Sequence, residues 1–271
     1  MGVERMAGSN PEFGMAEPAQ WIERDHSDLK HLNCVFTRVH WPQDKRVLDY
    51  CDRHGILMQT EVPAWGSDTF HGMDTQPDTA IMENGLEQLR EIISRDRNHP
   101  SVVVWGLCNE IGGQAPPAYQ FAKRMLEEAK RLDPGRLCSY ASNSLGTTPE
   151  RDVAGLMDFI ETNEYFGTWA PGTAEDTARH FDQLHATFPG KPIVVSEYGY
   201  CACTADRPEG ERVRGQSAAC LQMQVEFVQL VFDGERSGAI SYSACFMPRA
   251  AFRLRYRRWK CPSLLLGRMC S

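Results

Sequence analysis

Two glutamates stand directly at the ends of apolar, β-branched stretches of this sequence. Glu110 follows SVVVWGLCN (101–109), and Glu197 follows PIVVS (192–196). Cleavage of a glycosidic bond needs two carboxyl groups, one protonated to assist the leaving oxygen and one ionised to meet the positive charge that develops on the sugar ring. A single glutamate at a strand end is more often a solvated loop acid. The pair, with Asn109 directly before Glu110, favours a catalytic role for both.

Other polar and aromatic side chains occupy similar positions after the predicted strands. Arg38 and His40 follow the second strand and Glu61 the third, although Glu61 could pair with Arg38 for structural reasons alone and His40 could simply pack in a loop. Aromatic faces commonly line sugar sites, and Trp105 lies within a strand run typical of a core residue. The further candidates for substrate contacts are Asn109, Asn163, Tyr165, Trp41, Trp65 and Trp169.

The sequence offers little for other kinds of chemistry. It contains no Ser-His-Asp order, GxSxG motif, phosphate-binding loop or HExxH motif. Its ten cysteines form no CxxC pair and no Cys/His cluster with zinc-ligand spacing. We therefore expect neither a metal nor another cofactor, and we expect the cysteines to be free buried thiols in a reducing compartment.

Short apolar runs alternate with segments of helical period along most of the chain. Near-continuous apolar strands separated by helices indicate an α/β fold with a parallel sheet covered by helices. Without a doubly wound glycine fingerprint, the pattern favours a TIM (β/α)₈ barrel, in which strands four and seven would place Glu110 and Glu197 across the barrel mouth from each other. The predicted strands are 33–38, 56–62, 101–107, 136–142, 157–163, 192–199 and 238–244, and the predicted helices are 18–31, 44–55, 78–97, 117–135, 174–188 and 215–233.

The two ends of the chain depart from this pattern. Before the first helix only GVER (2–5) could end a strand, and no helix follows 238–244, so we expect an incomplete barrel that lacks most of its first strand and its last helix. Residues 245–271 contain six arginines, one lysine and no acid, whereas residues 1–244 carry a net charge of −14. We expect one barrel domain over 1–244 and a basic C-terminal tail, 245–271, that is foreign to it.

The segment RDRNHPSVVVWGLCNE (95–110) resembles the acid/base signature of glycoside hydrolase family 2, which holds β-galactosidases, β-glucuronidases and β-mannosidases. Supporting similarities are GVER (2–5), RVHWP (38–42), DYCDRHGILMQTEV (49–62), TNEYFG (162–167) and PIVVSEYG (192–199). The resemblance covers about residues 2–244. It departs from the family in a strand-two motif that is one residue shorter than the usual Arg-x-x-His-Tyr-Pro, and in the lack of β-sandwich domains before the barrel.

The resemblance implies roles for individual residues. Glu110 would be the general acid/base and Glu197 the nucleophile of a retaining β-glycosidase, whose two carboxyl groups lie about 5–5.5 Å apart. Asn109 would hold the sugar 2-hydroxyl, Tyr165 would hydrogen-bond the nucleophile, and Arg38 would keep it ionised. Glu61, His40 and Asn163 are implied as contacts for sugar hydroxyls.

Two other functions are compatible with the residues. An incomplete barrel could be an inactive fragment that at most binds carbohydrate, and a metal-dependent barrel hydrolase would need the strand-end histidine pairs that the sequence lacks. The residues do not choose among galactose, glucuronate and mannose as the substrate sugar, and they do not indicate an oligomeric state.

Composition and sequence pattern limit the kinds of binding partner and the cellular location that we expect. The net charge of −7 argues against a nucleic-acid ligand. No apolar run reaches the roughly 18 residues of a membrane span, and MGVERMAGSNPEFGM has no apolar core of a secretory signal. We therefore expect a cytoplasmic protein that binds a β-glycoside or oligosaccharide, unless an upstream segment carries a secretion signal.

Overall fold

The computed structural model describes residues 2–5, 7, 12–166, 170–198 and 240–243. Eight parallel strands form one closed ring in sequence order, as a TIM barrel requires. The predicted strands are all present, with bounds that differ from the prediction by a few residues. The strands are β1 (Gly2–Glu4), β2 (Phe36–Val39), β3 (Leu57–Glu61), β4 (Val102–Asn109), β5 (Leu137–Ser142), β6 (Ile160–Glu164), β7 (Ile193–Tyr198) and β8 (Ile240–Ser243).

The first strand is as short as GVER predicted, since β1 has only three residues. It nevertheless pairs with both neighbours: Gly2 lies opposite Phe36 of β2 and opposite Tyr242 of β8. The ring is therefore closed, although most of the first strand is missing as expected. The short β1 places Glu4 at the same end of the barrel as Arg38, its partner in register.

Helices between the strands begin and end where local sequence signals predict. In α2, Asp44 accepts a hydrogen bond from the Arg46 N–H and so caps the helix start, and Gly55 adopts φ +66° at the end, a left-handed conformation that glycine allows. The helices are α1 (Ala19–His31), α2 (Lys45–His54), α3 (Thr79–Asp96), α4 (Pro116–Leu132) and α5 (Ala174–Thr187). The predicted helix 215–233 and the tail 245–271 lie outside the described residues.

The apolar core has two parts. A large cluster fills the layer between the strands and the helices and contains side chains such as Ile22, Leu89 and Phe121. A small cluster fills the barrel interior and consists of Phe36, Val104, Phe159 and Val194. Because Arg38 is two residues beyond Phe36 on β2, it points into the same interior, one layer closer to the carboxyl ends of the strands.

Two further predictions about core residues are confirmed. The described cysteines Cys34, Cys51, Cys108 and Cys138 are free and buried, and burial raises the pKa of the Cys34 thiol to about 11. Trp105 is 1% exposed. None of the helices within the described ranges has the length and apolar character of a membrane span.

Gly106 of β4 supplies a test of the packing around the barrel interior. A methyl group at this position would lie 2.8 Å from Cγ of Glu61, which is too close for two carbon atoms. We expect Gly106→Ala to lower the free energy of unfolding by about 1–3 kcal/mol, because overpacking displaces neighbouring side chains. Urea denaturation measures the change. Gly146→Ala is the matched control, because a methyl group there meets nothing within 4 Å, and equal losses in both variants would contradict the packing argument.

Candidate active site

Arg38 lies at the centre of the polar cluster at the carboxyl ends of the strands. Its side chain is fully buried. Its Nη1 donates to Glu197 Oε1 at 2.8 Å, its Nε donates to Glu61 Oε2 at 3.1 Å, and its Nη2 donates to Asn109 Oδ1 at 2.8 Å. One planar guanidinium therefore holds side chains from β3, β4 and β7 in a fixed arrangement.

Two more carboxylates lie near the same cation. Glu4 Oε1 is 3.6 Å from Arg38 Nη1, and Glu161 Oε1 is 3.9 Å from Arg38 Nε. Burial by itself would lower the pKa of Arg38, but the surrounding carboxylates outweigh it and the pKa lies well above its ordinary value. Arg38 thus stays charged and partly neutralises a concentration of buried negative charge.

His40 forms a second positive centre beside the nucleophile candidate. Its Nε2 is 2.5 Å from Glu4 Oε1 and 3.2 Å from Glu197 Oε1, and its Nδ1 is 3.4 Å from Glu61 Oε1. Burial lowers the pKa of His40, but the contacts with the three glutamates raise it by a larger amount, so that the pKa is about 11. The imidazole is therefore an imidazolium at neutral pH.

The surroundings of Glu197 favour its ionised form. Burial raises the pKa of this carboxyl, but the interactions with His40, Arg38 and the Tyr165 hydroxyl lower it by more, to about 2. The Tyr165 hydroxyl donates to Glu197 Oε2 at 2.6 Å, while Arg38 approaches the other oxygen. Glu197 is thus a carboxylate anion across the whole physiological pH range.

The surroundings of Glu110 favour its protonated form. Burial raises its pKa above the ordinary value, and the negative charge of Glu197 adds to the rise, although the hydrogen bond from Asn163 opposes it. Asn163 Nδ2 donates to Glu110 Oε1 at 2.8 Å. The backbone of Glu110 adopts φ +52°, which is uncommon for a residue other than glycine and typical of functional positions. The surroundings of Glu110 and Glu197 therefore shift the pKa values of these two carboxyl groups in opposite directions.

A β-bulge in β7 turns Glu197 into the barrel. Val195 and Glu197 pair with consecutive residues of β6, so Ser196 is an extra residue on β7. Val194 packs in the interior cluster and Val195 in the outer core, and strict alternation would have put Glu197 on the outer face with Val195. The bulge moves the carboxylate to the inner face, where the two cations lie.

β4 contains a similar irregularity before its functional residues. Gly106 and Asn109 pair with residues only two positions apart on β5, so β4 has one residue more than its partner. Gly106 faces Glu61 inside the barrel, whereas Leu107 and Cys108 pack in the outer core. The extra residue returns Asn109 to the inner face and brings Glu110 to the rim.

Aromatic side chains lie beside the cluster. The ring centroids of Trp41 and Trp65 are 6.1 Å apart, and those of His40 and Trp41 are 6.2 Å apart. The backbone of Trp65 forms a β-bridge with Asn109, which holds the indole next to the candidate site, and Trp65 is 53% exposed. These two tryptophans form an aromatic border to the site that is accessible to a ligand.

The structure brings together the polar and charged residues predicted for the site, and their chemical roles stay predictions. Trp169 lies outside the described residues. The sequence patterns did not single out Glu4, because the short β1 gives too weak a strand signal for its last residue to stand out. The same strand-end rule, applied to GVER, would have found it. The eight residues of the cluster are Arg38, His40, Glu61, Asn109, Glu110, Asn163, Tyr165 and Glu197.

Among the residues that the structure describes, two groups of side chains have the spacing of metal ligands. Glu4, His40 and Glu197 form one group, and Asp49, Asp52 and His99 form the other. In the first, the Arg38 guanidinium opposes a further cation. In the second, His99 lies 2.6 Å from one oxygen of Asp52 while the Ser101 N–H donates to the other oxygen. These contacts already account for the close approach of the side chains.

A closed parallel barrel with paired carboxyl groups at the ends of β4 and β7 is the arrangement of barrel glycosidases. The family described as glycosyl hydrolases family 2, TIM barrel domain, matches residues 1–208. Since this match covers more than half of the sequence, the chain belongs to that family.

Individual relatives agree with the family assignment. The beta-glucuronidase of Bacteroides fragilis is 31% identical over 189 residues, which are 69% of this chain and 26% of the relative. The beta-glucuronidase of Canis lupus familiaris is 32% identical over 185 residues, which are 66% of this chain and 27% of the relative. The chain thus spans about a quarter of the length of these curated relatives.

Solved structures show the same fold. The beta-glucuronidase from Ruminococcus gnavus in complex with C6-substituted uronic isofagomine superimposes with a TM-score of 0.76 and 25% identity, covering 90% of this chain and 42% of that one. The beta-D-glucuronidase of Dictyoglomus thermophilum has a TM-score of 0.75 and 23% identity, with coverage of 90% and 43%. At that identity the second similarity supports the fold alone.

Removal of the Arg38 charge should destabilise the barrel in a pH-dependent way. We expect Arg38→Gln to lower the free energy of unfolding by about 3–5 kcal/mol at pH 7, because buried carboxylates lose their partner. Those carboxyl groups would then have raised pKa values in the folded state, so the loss should grow as the pH rises and shrink towards pH 5. Urea midpoints at pH 5 and pH 8 measure it.

Arg46→Gln is the control for this prediction, because Arg46 forms an exposed ion pair with Asp44. We expect little change in its urea midpoint at either pH. A loss in Arg38→Gln that is equal at pH 5 and pH 8 would show that the guanidinium does not compensate the buried carboxylates.

Proposed function

We propose that this domain is a retaining β-glycosidase in which Glu110 is the general acid/base and Glu197 is the nucleophile. The observation that carries the proposal is the opposite influence on two neighbouring carboxyl groups. Burial and a like charge raise the pKa of Glu110, whereas His40 and Arg38 bring the pKa of Glu197 down to about 2. Pairs of titratable groups whose environments separate their pKa values identify an acid and a base in glycosidases.

In the first step the protonated Glu110 donates its proton to the leaving glycosidic oxygen. Glu197 attacks the anomeric carbon as this bond breaks, and a covalent glycosyl-enzyme forms. The contacts from Arg38 and Tyr165 keep both oxygens of Glu197 oriented. In the second step Glu110, now ionised, removes a proton from a water molecule that attacks the same carbon and releases the sugar with its original configuration.

The remaining polar residues are placed to bind the sugar. Arg38 Nη2 donates to Asn109 Oδ1, which directs the amide oxygen towards the cation and makes the amide nitrogen the end that can donate to a sugar hydroxyl. Ser196 Oγ donates to Asn163 Oδ1, so the Asn163 amide nitrogen faces Glu110. His40, Glu61 and Trp169 complete the proposed substrate-binding set.

β-Uronides are the first substrates to examine. The relatives described above are named beta-glucuronidases, and a structure with 26% identity, from Eisenbergiella tayi, is described as a beta-galacturonidase bound to galacturonate. The alternative is an inactive domain that at most binds carbohydrate. A soluble, cooperatively folding chain without turnover on aryl β-glucuronides, β-galacturonides, β-galactosides and β-mannosides would establish this alternative.

Replacement of the nucleophile provides the most direct test. We expect Glu197→Gln to lower turnover of an aryl β-glycoside by several orders of magnitude, because an amide cannot form the covalent intermediate. A 2-fluoro sugar reagent should label the unmodified protein at Glu197. Glu87→Gln, on the exposed face of α3, should keep full activity. A loss below about tenfold in Glu197→Gln, or a label on another residue, would remove Glu197 from this role.

The acid/base role of Glu110 predicts a specific pH profile. Because Glu110 must be protonated in the first step, kcat/KM should fall as the pH rises through its elevated pKa. We expect Glu110→Gln to lose this alkaline limb, since an amide does not titrate, and to lose least activity on substrates with acidic phenol leaving groups. Profiles from pH 4 to 9 on nitrophenyl and alkyl glycosides measure both effects. An unchanged limb in the variant would assign the titration to another group.

A further inference from the structure

Acidic side chains outnumber basic ones around the nucleophile candidate Glu197. Four buried carboxylates, Glu4, Glu61, Glu161 and Glu197, lie within 4.0 Å of one guanidinium, that of Arg38. Within the described part of the chain, His40 is the other basic side chain in ion-pair contact with this group of acids. Burial raises the pKa of Glu4 and of Glu161, and a second cation offsets the negative charge that remains, because buried carboxylates without a partner are strongly destabilised.

The geometry around His40 shows how that cation is held. Each ring nitrogen faces carboxylate oxygen: Nε2 faces Glu4 and Glu197, and Nδ1 faces Glu61. A neutral imidazole has one N–H and could donate at only one of these positions, whereas an imidazolium donates at both. Nε2 lies closer to Glu4, at 2.5 Å, than to Glu197, at 3.2 Å.

We propose that Glu4 is a positioning residue that holds His40 as an imidazolium beside the nucleophile Glu197. Glu4 anchors the cation by an ion pair, so that Glu197 experiences its positive field. Glu197 then remains ionised. Glu4 acts through His40, and no hydrogen bond joins it to Glu197 among the described contacts. This inference rests on the proposed function of Glu197.

The place of Glu4 in the fold fits this role. It is the last residue of β1, lies opposite Arg38 in register, and its side chain is 4% exposed. Glu4 faces His40 from β1, while Glu61 and Glu197 face the imidazole from β3 and β7. Arg38 of β2 lies two residues before His40 in the sequence and is 3.6 Å from Glu4. Each of these groups affects the charge of His40, and Glu4 makes the shortest contact.

Titration of His40 by NMR tests the proposal without reference to activity. The full chain, with ¹⁵N-labelled histidine, is titrated from pH 5 to 9, and the His40 signal is assigned by its loss in His40→Gln. We expect His40 to stay protonated at pH 8 in the unmodified protein, and Glu4→Gln to lower its pKa by about one unit or more. Titration near the ordinary value in the unmodified protein, or no shift in Glu4→Gln, overturns the proposal.

Kinetic measurements provide a second test, because a purely structural role of Glu4 would give a different result. We expect Glu4→Gln to lower kcat by about 10- to 100-fold and to change KM less, since the reacting group is displaced while the sugar contacts other than His40 stay. Glu4→Gln should have little further effect in a His40→Gln background, because Glu4 acts through the imidazole. Effects that multiply in the double variant overturn the proposal.

A matched variant separates positioning from stability. Glu128 of α4 is also buried and ion-paired, to Arg90 and Arg131, but it lies on the outer helix layer. Glu128→Gln should lose stability without a shift of the His40 signal. If the chain folds but shows no turnover, the proposed function fails, and the NMR titration alone decides the role of Glu4.

Discussion

The buried guanidinium of Arg38 organises the carboxyl-terminal end of this barrel. The Arg38 side chain reaches no solvent and contacts residues of β3, β4 and β7 through hydrogen bonds of 2.8–3.1 Å. A guanidinium is suited to this position because its donors lie in one rigid plane and its charge is permanent. Without it, His40 alone would face several acidic groups in a low-dielectric interior, and the ionised form of Glu197 would lose its direct hydrogen-bonded counter-charge.

The same cation explains why two carboxyl groups so close in the fold behave differently. Glu197 is in direct contact with Arg38 and His40, and its pKa falls to about 2. Glu110 is held by a neutral amide, that of Asn163, and its pKa rises. The difference between the proposed acid and the proposed nucleophile is therefore a consequence of which partner each carboxyl group contacts, since both residues are glutamates with the same intrinsic chemistry.

Ring closure and the site depend on each other. β1 has only three residues, yet it pairs with β2 and β8 and completes the barrel. Its last residue is Glu4, which contacts His40 and lies beside Arg38. The shortest strand of the barrel thus contributes a charged group to the site, which links the closure of the fold to the electrostatics of the proposed nucleophile.

The amino-acid sequence by itself determined the alternation of strands and helices, the barrel class and the polar residues at the strand ends, because these follow from local periodicity and capping. Tertiary structure decided the orientation of the functional groups. Strict alternation would turn Glu197 outwards with Val195, and only the bulge at Ser196, visible in the pairing with β6, turns it inwards. Glu4 also became part of the site only through strand pairing. The charge state of each carboxyl group depends on neighbours that are distant in sequence, and no local pattern contains that information.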